Sequence, residues 1–130
     1  MKIFELPSEH GHLRGAIWDN VENPKGTIQI AHGLVEYHDR YDEFAKFLNE
    51  HGYIVYCNDH LGHGLHVKKG ELKGYFADEN GYEAVVDQLA EMNSVIRKAH
   101  PSLNHFFIGH SLGTALGLSF LKRNISFEAV

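Results

Sequence analysis

Residues 27–31 read T-I-Q-I-A, a nearly continuous β-branched stretch of the kind found in strands that helices cover on both faces. Residues 53–58 and 105–108 repeat that character at strand length. Between the first two runs, Tyr41, Phe44, Ala45 and Leu48 recur at i, i+3, i+4 and i+7, with Asp39, Asp42 and Glu43 near the start and Gly52 past the end, which predicts an amphipathic helix. A second helix is predicted over 81–99. Val85, Leu89, Met92, Ile96 and Ala99 stack on one of its faces, Asn80 with Glu83 gives a capping-box-like start, and Arg97, Lys98 and Pro101 mark its end. A third begins at Leu112 and carries Ala115, Leu116, Ser119 and Phe120, with Lys122 and Arg123 in its last turn and Asn124 as its stop. Before all of these, residues 2–6 read as an edge strand closed by Pro7, and 12–19 as a second strand, the two forming a hairpin at one edge of the sheet. Strand, helix, strand in sequence implies right-handed parallel crossovers. Residues 65–78 are polar, contain three lysines, and predict a surface loop.

The candidate chemistry sits where these elements meet. Residues 106–115, F-F-I-G-H-S-L-G-T-A, take a strand through G-x-S-x-G into a helix. A serine at that junction occupies a very tight, strained turn, which demands minimal bulk two residues away on either side, and Gly109 and Gly113 meet the demand. The turn lifts the Ser111 hydroxyl above the sheet at a helix N-terminus, where free N–H groups favour a developing oxyanion. Two further strands end in recognisable turns: 28–38 closes on His32-Gly33, and 53–64 closes on D-H-L-G-H-G.

These three stretches, in this order and spacing, resemble the N-terminal half of the α/β-hydrolase fold, and within it the monoacylglycerol lipase and lysophospholipase branch of serine hydrolases. The resemblance covers nearly the whole chain. It implies a mostly parallel sheet with helices on both faces, Ser111 as nucleophile, and an oxyanion hole made by the backbone N–H groups of Leu34 and Leu112. His32, Gly33, Gly109, His110 and Gly113 support those motifs. It also implies Ser, then an acid, then His in chain order, yet after Ser111 there is one acid, Glu128, and no histidine. The expectation is therefore a partial domain over 1–130, cut at about the start of the strand after the nucleophile helix, with the triad acid, the triad His, the later strands and the cap lying beyond Val130. On that expectation the apolar strand of Phe106, Phe107 and Ile108 is left as an exposed edge open to chain–chain pairing.

Composition narrows the alternatives. A length of 130 residues with 43% apolar residues supports one core, and a net charge of -5 argues against a nucleic-acid partner. The lone Cys57 offers no disulfide framework, and neither a signal peptide nor a membrane-length apolar run is present in the sequence, so a cytoplasmic protein is the expectation.

The remaining histidines are assigned structural or solvated places. His110 is expected to pack beneath the turn and His32 to hold the loop after its strand, while His38, His51, His100 and His105 are expected in solvent. His60, His63 and His66 lie on a Gly-interrupted loop without a fixed face, so no metal is assigned, and no cofactor is implied. Cys57 is expected in the core, and Lys68, Lys69 and Lys73 in water. Two functions from different classes fit: a serine carboxylester hydrolase for monoacylglycerols, lysophospholipids or similar apolar esters, or a non-catalytic remnant of the same fold serving as an interaction module.

Overall fold

Strand β3 (Gly26–Ala31) is buried along its whole length and pairs in parallel on both sides, with β4 (Tyr53–Asn58) and with β5 (Asn104–Gly109). The computed structural model describes residues 1–123 and 125–130. The sheet is completed by an antiparallel hairpin, β1 (Lys2–Ser8) and β2 (Gly11–Trp18), with β2 against β4, giving the order β1-β2-β4-β3-β5. β1 does not stop at Pro7. It runs on to Ser8, with Pro7 opposite His12, because a strand at the sheet margin tolerates a missing donor.

Alternation along β3 sorts the two layers. Ile28 and Ile30 face helix α1 (Asp42–Glu50) in a cluster with Trp18, Ala45, Val55 and Cys57. Cys57 is fully buried, as expected, and burial pushes its thiol pKa well up. Trp18 donates its indole N–H to Asp42 at 2.8 Å, fixing where α1 begins. Phe44 departs from the predicted face: it is exposed and stacks on Phe47. A 3-10 turn, His38–Tyr41, leads into α1.

The opposite face carries α2 (Gly81–Ala99) and α3 (Leu112–Leu121). Val85, Val86 and Leu89 meet Phe107, Leu116 and Phe120, while Met92 and Ile96 meet Leu13, Ile54 and Tyr56. Ala99 lies exposed at the end of the predicted face. Gln29, the one polar side chain in the middle of β3, donates to the Leu89 carbonyl at 2.9 Å and accepts from Asn93 at 3.2 Å, so the central strand is pinned to α2 by polar contacts inside the core. The capping box at Asn80 does not form: Asn80 is left-handed (φ 51°) and makes no side-chain cap. Residues 65–78 form the expected loop, apart from a 3-10 turn over Gly64–His66. The helix stop assigned to Asn124 lies outside the described residues.

The β5 edge is not bare. Glu128 N–H donates to the His105 carbonyl at 2.9 Å and Phe107 N–H to the Ala129 carbonyl at 3.1 Å, a parallel bridge that occupies the strand's outer side. Phe127 packs on Phe107 and Phe120 with ring centres 5.5 and 5.6 Å apart, which holds this segment in place. Among the described residues no helix is long and apolar enough to cross a membrane.

Candidate active site

Ser111 adopts φ 52°, ψ -116°, a region that L-residues other than glycine rarely enter, and it sits exposed at the N-terminus of α3. Such a backbone costs on the order of 1 to 3 kcal/mol and persists only where the surroundings enforce it. They do so by close packing. A Cβ on Gly113 would collide with the Ala31 carbonyl oxygen, and one on Gly109 would sit 2.7 Å from the Gly113 carbonyl oxygen. Hydrogen bonds complete the turn: His110 N–H to Ala31 O at 3.1 Å, Gly113 N–H to His110 O at 2.8 Å, and Thr114 N–H to Ser111 O at 2.9 Å. The elbow is thus welded to the C-terminal end of β3. The Leu112 N–H has no protein acceptor among the described residues.

The loop leaving β3 faces this elbow. Its parallel partners β4 and β5 receive their connecting helices from opposite faces of the sheet, and a crevice between diverging connections is where open α/β sheets place their ligands. His32 is fully buried; its Nδ1–H donates to the Gly33 carbonyl at 2.8 Å, and its Nε2 accepts the His60 N–H at 2.9 Å. The His60 ring stacks on His32 at 3.9 Å and returns a bond from Nε2 to the His32 carbonyl at 2.9 Å. Burial holds His32 neutral, its pKa down to about 4, and pushes that of His60 well below the usual range. His32 thus links the turn after β3 to the backbone after β4. His32 and His60 act as neutral struts, with His60 Nδ1 the one ring nitrogen of the pair without a partner, and among the described residues no group of three or more His, Cys, Asp or Glu is arranged to hold a metal ion.

Two acids brace the loops around the elbow. Glu36 accepts from Gly33 N–H at 2.9 Å, Tyr41 hydroxyl at 2.8 Å and His110 Nδ1 at 3.0 Å, and pairs with Arg40 at 2.7 Å. Burial opposes its charge, but those donors outweigh it and hold the carboxyl at about 2. Asp59 accepts from the backbone of His38 at 2.8 Å and of Leu65 at 2.9 Å, and from the His38 ring at 2.9 Å. Desolvation works against both members of that pair, and their mutual bond prevails, lowering Asp59 and raising His38. Because Glu36 occupies the Gly33 amide, the next one, Leu34 N–H, is left without a protein acceptor among the described residues. Val35 comes next at φ 56°, an outlier for a β-branched residue.

Three placements differ from the sequence reading. His110 does not pack beneath the elbow; its side chain is 57% exposed and reaches across to Glu36, because the buried carboxylate offers a stronger partner than the apolar layer below. His38 and His105 are buried rather than solvated, the first on Asp59 and the second on the Thr27 hydroxyl at 2.6 Å. His51 is exposed, and His100 is half-buried against the Tyr56 hydroxyl at 2.8 Å. Leu34 is exposed, whereas Leu112 packs partly into the cluster under α3, so together they do not enclose a pocket. A cleft of about 640 Å³ opens between the 35–38 and 62–74 loops, and neither leucine lines it. Sequence reasoning missed Glu36 and the His38–Asp59 pair. The signals were an acid three residues after the Gly33 amide it caps, and an acid placed just past the end of β4.

Residues 22–130 match the Hydrolase_4 family model, described as serine aminopeptidase, S33. The chain belongs to this family of α/β-hydrolases. Among curated relatives, this S33-family chain is 30% identical to the monoglyceride lipase of Rattus norvegicus over 101 residues, 78% of this chain and 31% of that protein. It is 32% identical to the monoglyceride lipase homolog of Monkeypox virus over 116 residues, 89% of this chain and 39% of that one. The chain thus spans between about a third and two fifths of the length of these relatives. A thermostable carboxyl esterase from Bacillus coagulans, solved in complex with glycerol, superposes with a TM-score of 0.82 at 25% identity, over 92% of this chain and 39% of the esterase. The five-stranded mixed sheet with helices on both faces is part of an α/β-hydrolase fold.

Proposed function

We propose that this S33-family chain carries the nucleophile and the oxyanion hole of a serine carboxylester hydrolase that cleaves monoacylglycerols, lysophospholipids or similar apolar acyl esters. The observation that carries the reading is the strained, exposed Ser111 at the start of α3, next to the Leu112 amide; among the described residues neither that amide nor the Leu34 amide in the loop after β3 has a protein acceptor. The likeness to monoglyceride lipases supports the substrate class.

In this reading the Ser111 Oγ attacks the ester carbonyl carbon while a base takes its proton, and the carbonyl oxygen becomes an oxyanion bound by the two amides. Loss of one such donor typically costs about 3 to 4 kcal/mol of transition-state stabilisation. The tetrahedral adduct then expels the alcohol, which takes up the proton, and leaves Ser111 acylated; water attacks the acyl-enzyme by the same route and releases the carboxylic acid. No histidine or acid among the described residues hydrogen-bonds the Ser111 hydroxyl. The base and its orienting acid are assigned to the portion of the relatives' length that this chain does not span. Residues 1–130 then form one part of the catalytic domain.

A fluorophosphonate probe and a p-nitrophenyl acyl ester test this on the chain as given and on a form continuing past Val130. Labelling and hydrolysis by the longer form that disappear in Ser111→Ala support it. A longer form that is folded yet inert toward both reagents would instead mark a non-catalytic member of the fold.

A further inference from the structure

The cleft between the 35–38 and 62–74 loops has a volume of about 640 Å³, within the ordinary range for small-molecule sites, and Ser111 is not among its lining residues. Most of its wall is apolar, with Val35, Leu65 and Val67 contributing. Besides Tyr37 and His63, two polar groups that suit an anion line it. One is Lys73, exposed and without an ion-pair partner among the described residues. The other is His38, 4% exposed, whose Nδ1 is fixed on Asp59 at 2.9 Å while its Nε2 has no protein partner among the described residues. That nitrogen is not among the buried side-chain atoms left without a partner, and the residue lines the cleft.

We propose that this cleft binds an amphipathic monocarboxylate, with its carboxylate between His38 Nε2 and Lys73 and its hydrocarbon body on Val35, Leu65 and Val67. The Asp59 bond and charge raise the pKa of the ring despite burial and so favour its protonated form, in which Nε2, like Lys73, presents an N–H donor. Among the described residues the only carboxylate lining the cleft, Glu36, is paired with Arg40 and accepts hydrogen bonds from Gly33, Tyr41 and His110, so it does not repel the ligand as a free charge would. A purely inorganic anion leaves the apolar wall uncovered, and a neutral alcohol leaves Lys73 without its counter-charge. Binding in this cleft needs no ester cleavage at Ser111.

The test is an NMR titration of ring-labelled histidines in the full chain, in both the unaltered and Ser111→Ala forms, with octanoate, octanol and inorganic phosphate as probes. Saturable shifts of the His38 ring with octanoate at millimolar concentration or below are expected. Lys73→Met, at an exposed position, weakens that binding by about tenfold, as removal of one partner of a charge-assisted pair does. Leu65→Ser, on the apolar wall, weakens octanoate binding and leaves any residual phosphate shift unchanged. Octanoate that fails to shift His38, that binds equally well to Lys73→Met, or that is matched by octanol or phosphate overturns the proposal. Because binding is read in Ser111→Ala as well, an inert serine leaves this result standing, and absent binding leaves the esterase reading untouched.

Discussion

His110 Nδ1 lies 3.0 Å from Glu36 Oε2, so the residue before the elbow serine is hydrogen-bonded to the loop that leaves β3. The same carboxylate oxygen holds the Gly33 N–H and the Tyr41 hydroxyl. One buried charge therefore ties together the elbow, the loop and the entry to α1.

Replacing Glu36 with alanine strands those donors at once. We expect a loss of about 2 to 3 kcal/mol in unfolding free energy, the range for bonds to a buried ionised group, against at most about 1 kcal/mol for Arg40→Ala, whose side chain is largely in water. Urea denaturation of the two variants measures the contrast, and equal losses would show that Glu36 is not the hub.

The strain at Ser111 predicts an inverse relation between stability and chemistry. Ser111→Gly relieves a backbone that glycine adopts freely and is expected to stabilise the chain by about 1 kcal/mol or more, whereas Ser111→Ala keeps the strain and leaves stability nearly unchanged. Differential scanning calorimetry of both variants decides it. A Ser111→Gly melting point at or below that of Ser111→Ala would remove the claim of strain.

Gly113→Ala places a methyl group into the Ala31 carbonyl and is expected to cost at least about 1 to 3 kcal/mol, with accelerated amide exchange at His110 and Gly113 as the elbow lifts from β3. Leu118→Ala on the exposed face of the same helix serves as the control, with little effect.

Acid should destabilise this chain earlier than carboxylate titration alone would. Burial lowers the folded-state pKa of His32 to about 4 and also lowers those of His60 and His66, while in the unfolded chain each sits near 6.5. Below about 6.5 the unfolded state therefore binds more protons than the folded state, and stability falls with falling pH, by up to about 1.4 kcal/mol per unit for each such histidine until its folded pKa is reached. His38 has the opposite sign: its contribution is complete below its unfolded pKa and is lost only as pH rises through its raised folded value, so it does not offset the decline. The urea midpoint is expected to drop steadily between pH 7 and 5. A flat midpoint across that window would contradict the lowered pKa of the buried His32 and His60 and the half-buried His66.

The outer side of β5 is guarded by Glu128 and Ala129. Glu128→Pro deletes one of the two bonds, and concentration-dependent dimerisation in analytical ultracentrifugation is expected from the variant, since an uncovered apolar strand is a pairing template. A variant that stays monomeric at every concentration would mean that the edge is protected by other means.

Much of the frame is visible in the pattern of residues. β3, β4, α2 and the elbow announce themselves by period and by glycine spacing, because burial on both faces and a turn with no room for a Cβ leave few residue choices. Less is visible where a position is decided by a distant partner. Pro7 reads as a stop and is a strand residue, since β1 pairs on one side only and the missing donor at Pro7 is tolerated there. Gln29 reads as an interruption and is a core anchor, since Asn93 lies 64 positions away in sequence. His38, His105 and His110 are misplaced by the sequence for the same reason: a histidine's surroundings depend on which carboxylate or hydroxyl the fold brings to it, here Asp59, Thr27 and Glu36. The pairing of 128–129 with β5 is legible as the onset of a strand, but its covering of the 106–107 edge is not.

Both free amides hang from the tip of a single strand: Leu34 lies three residues past its end, and Leu112 is held to it through Ala31, whose carbonyl takes the His110 N–H and abuts Gly113. Any sway of that tip carries the pair along like two hooks screwed to one board, so their mutual spacing is insulated from motion elsewhere in the sheet.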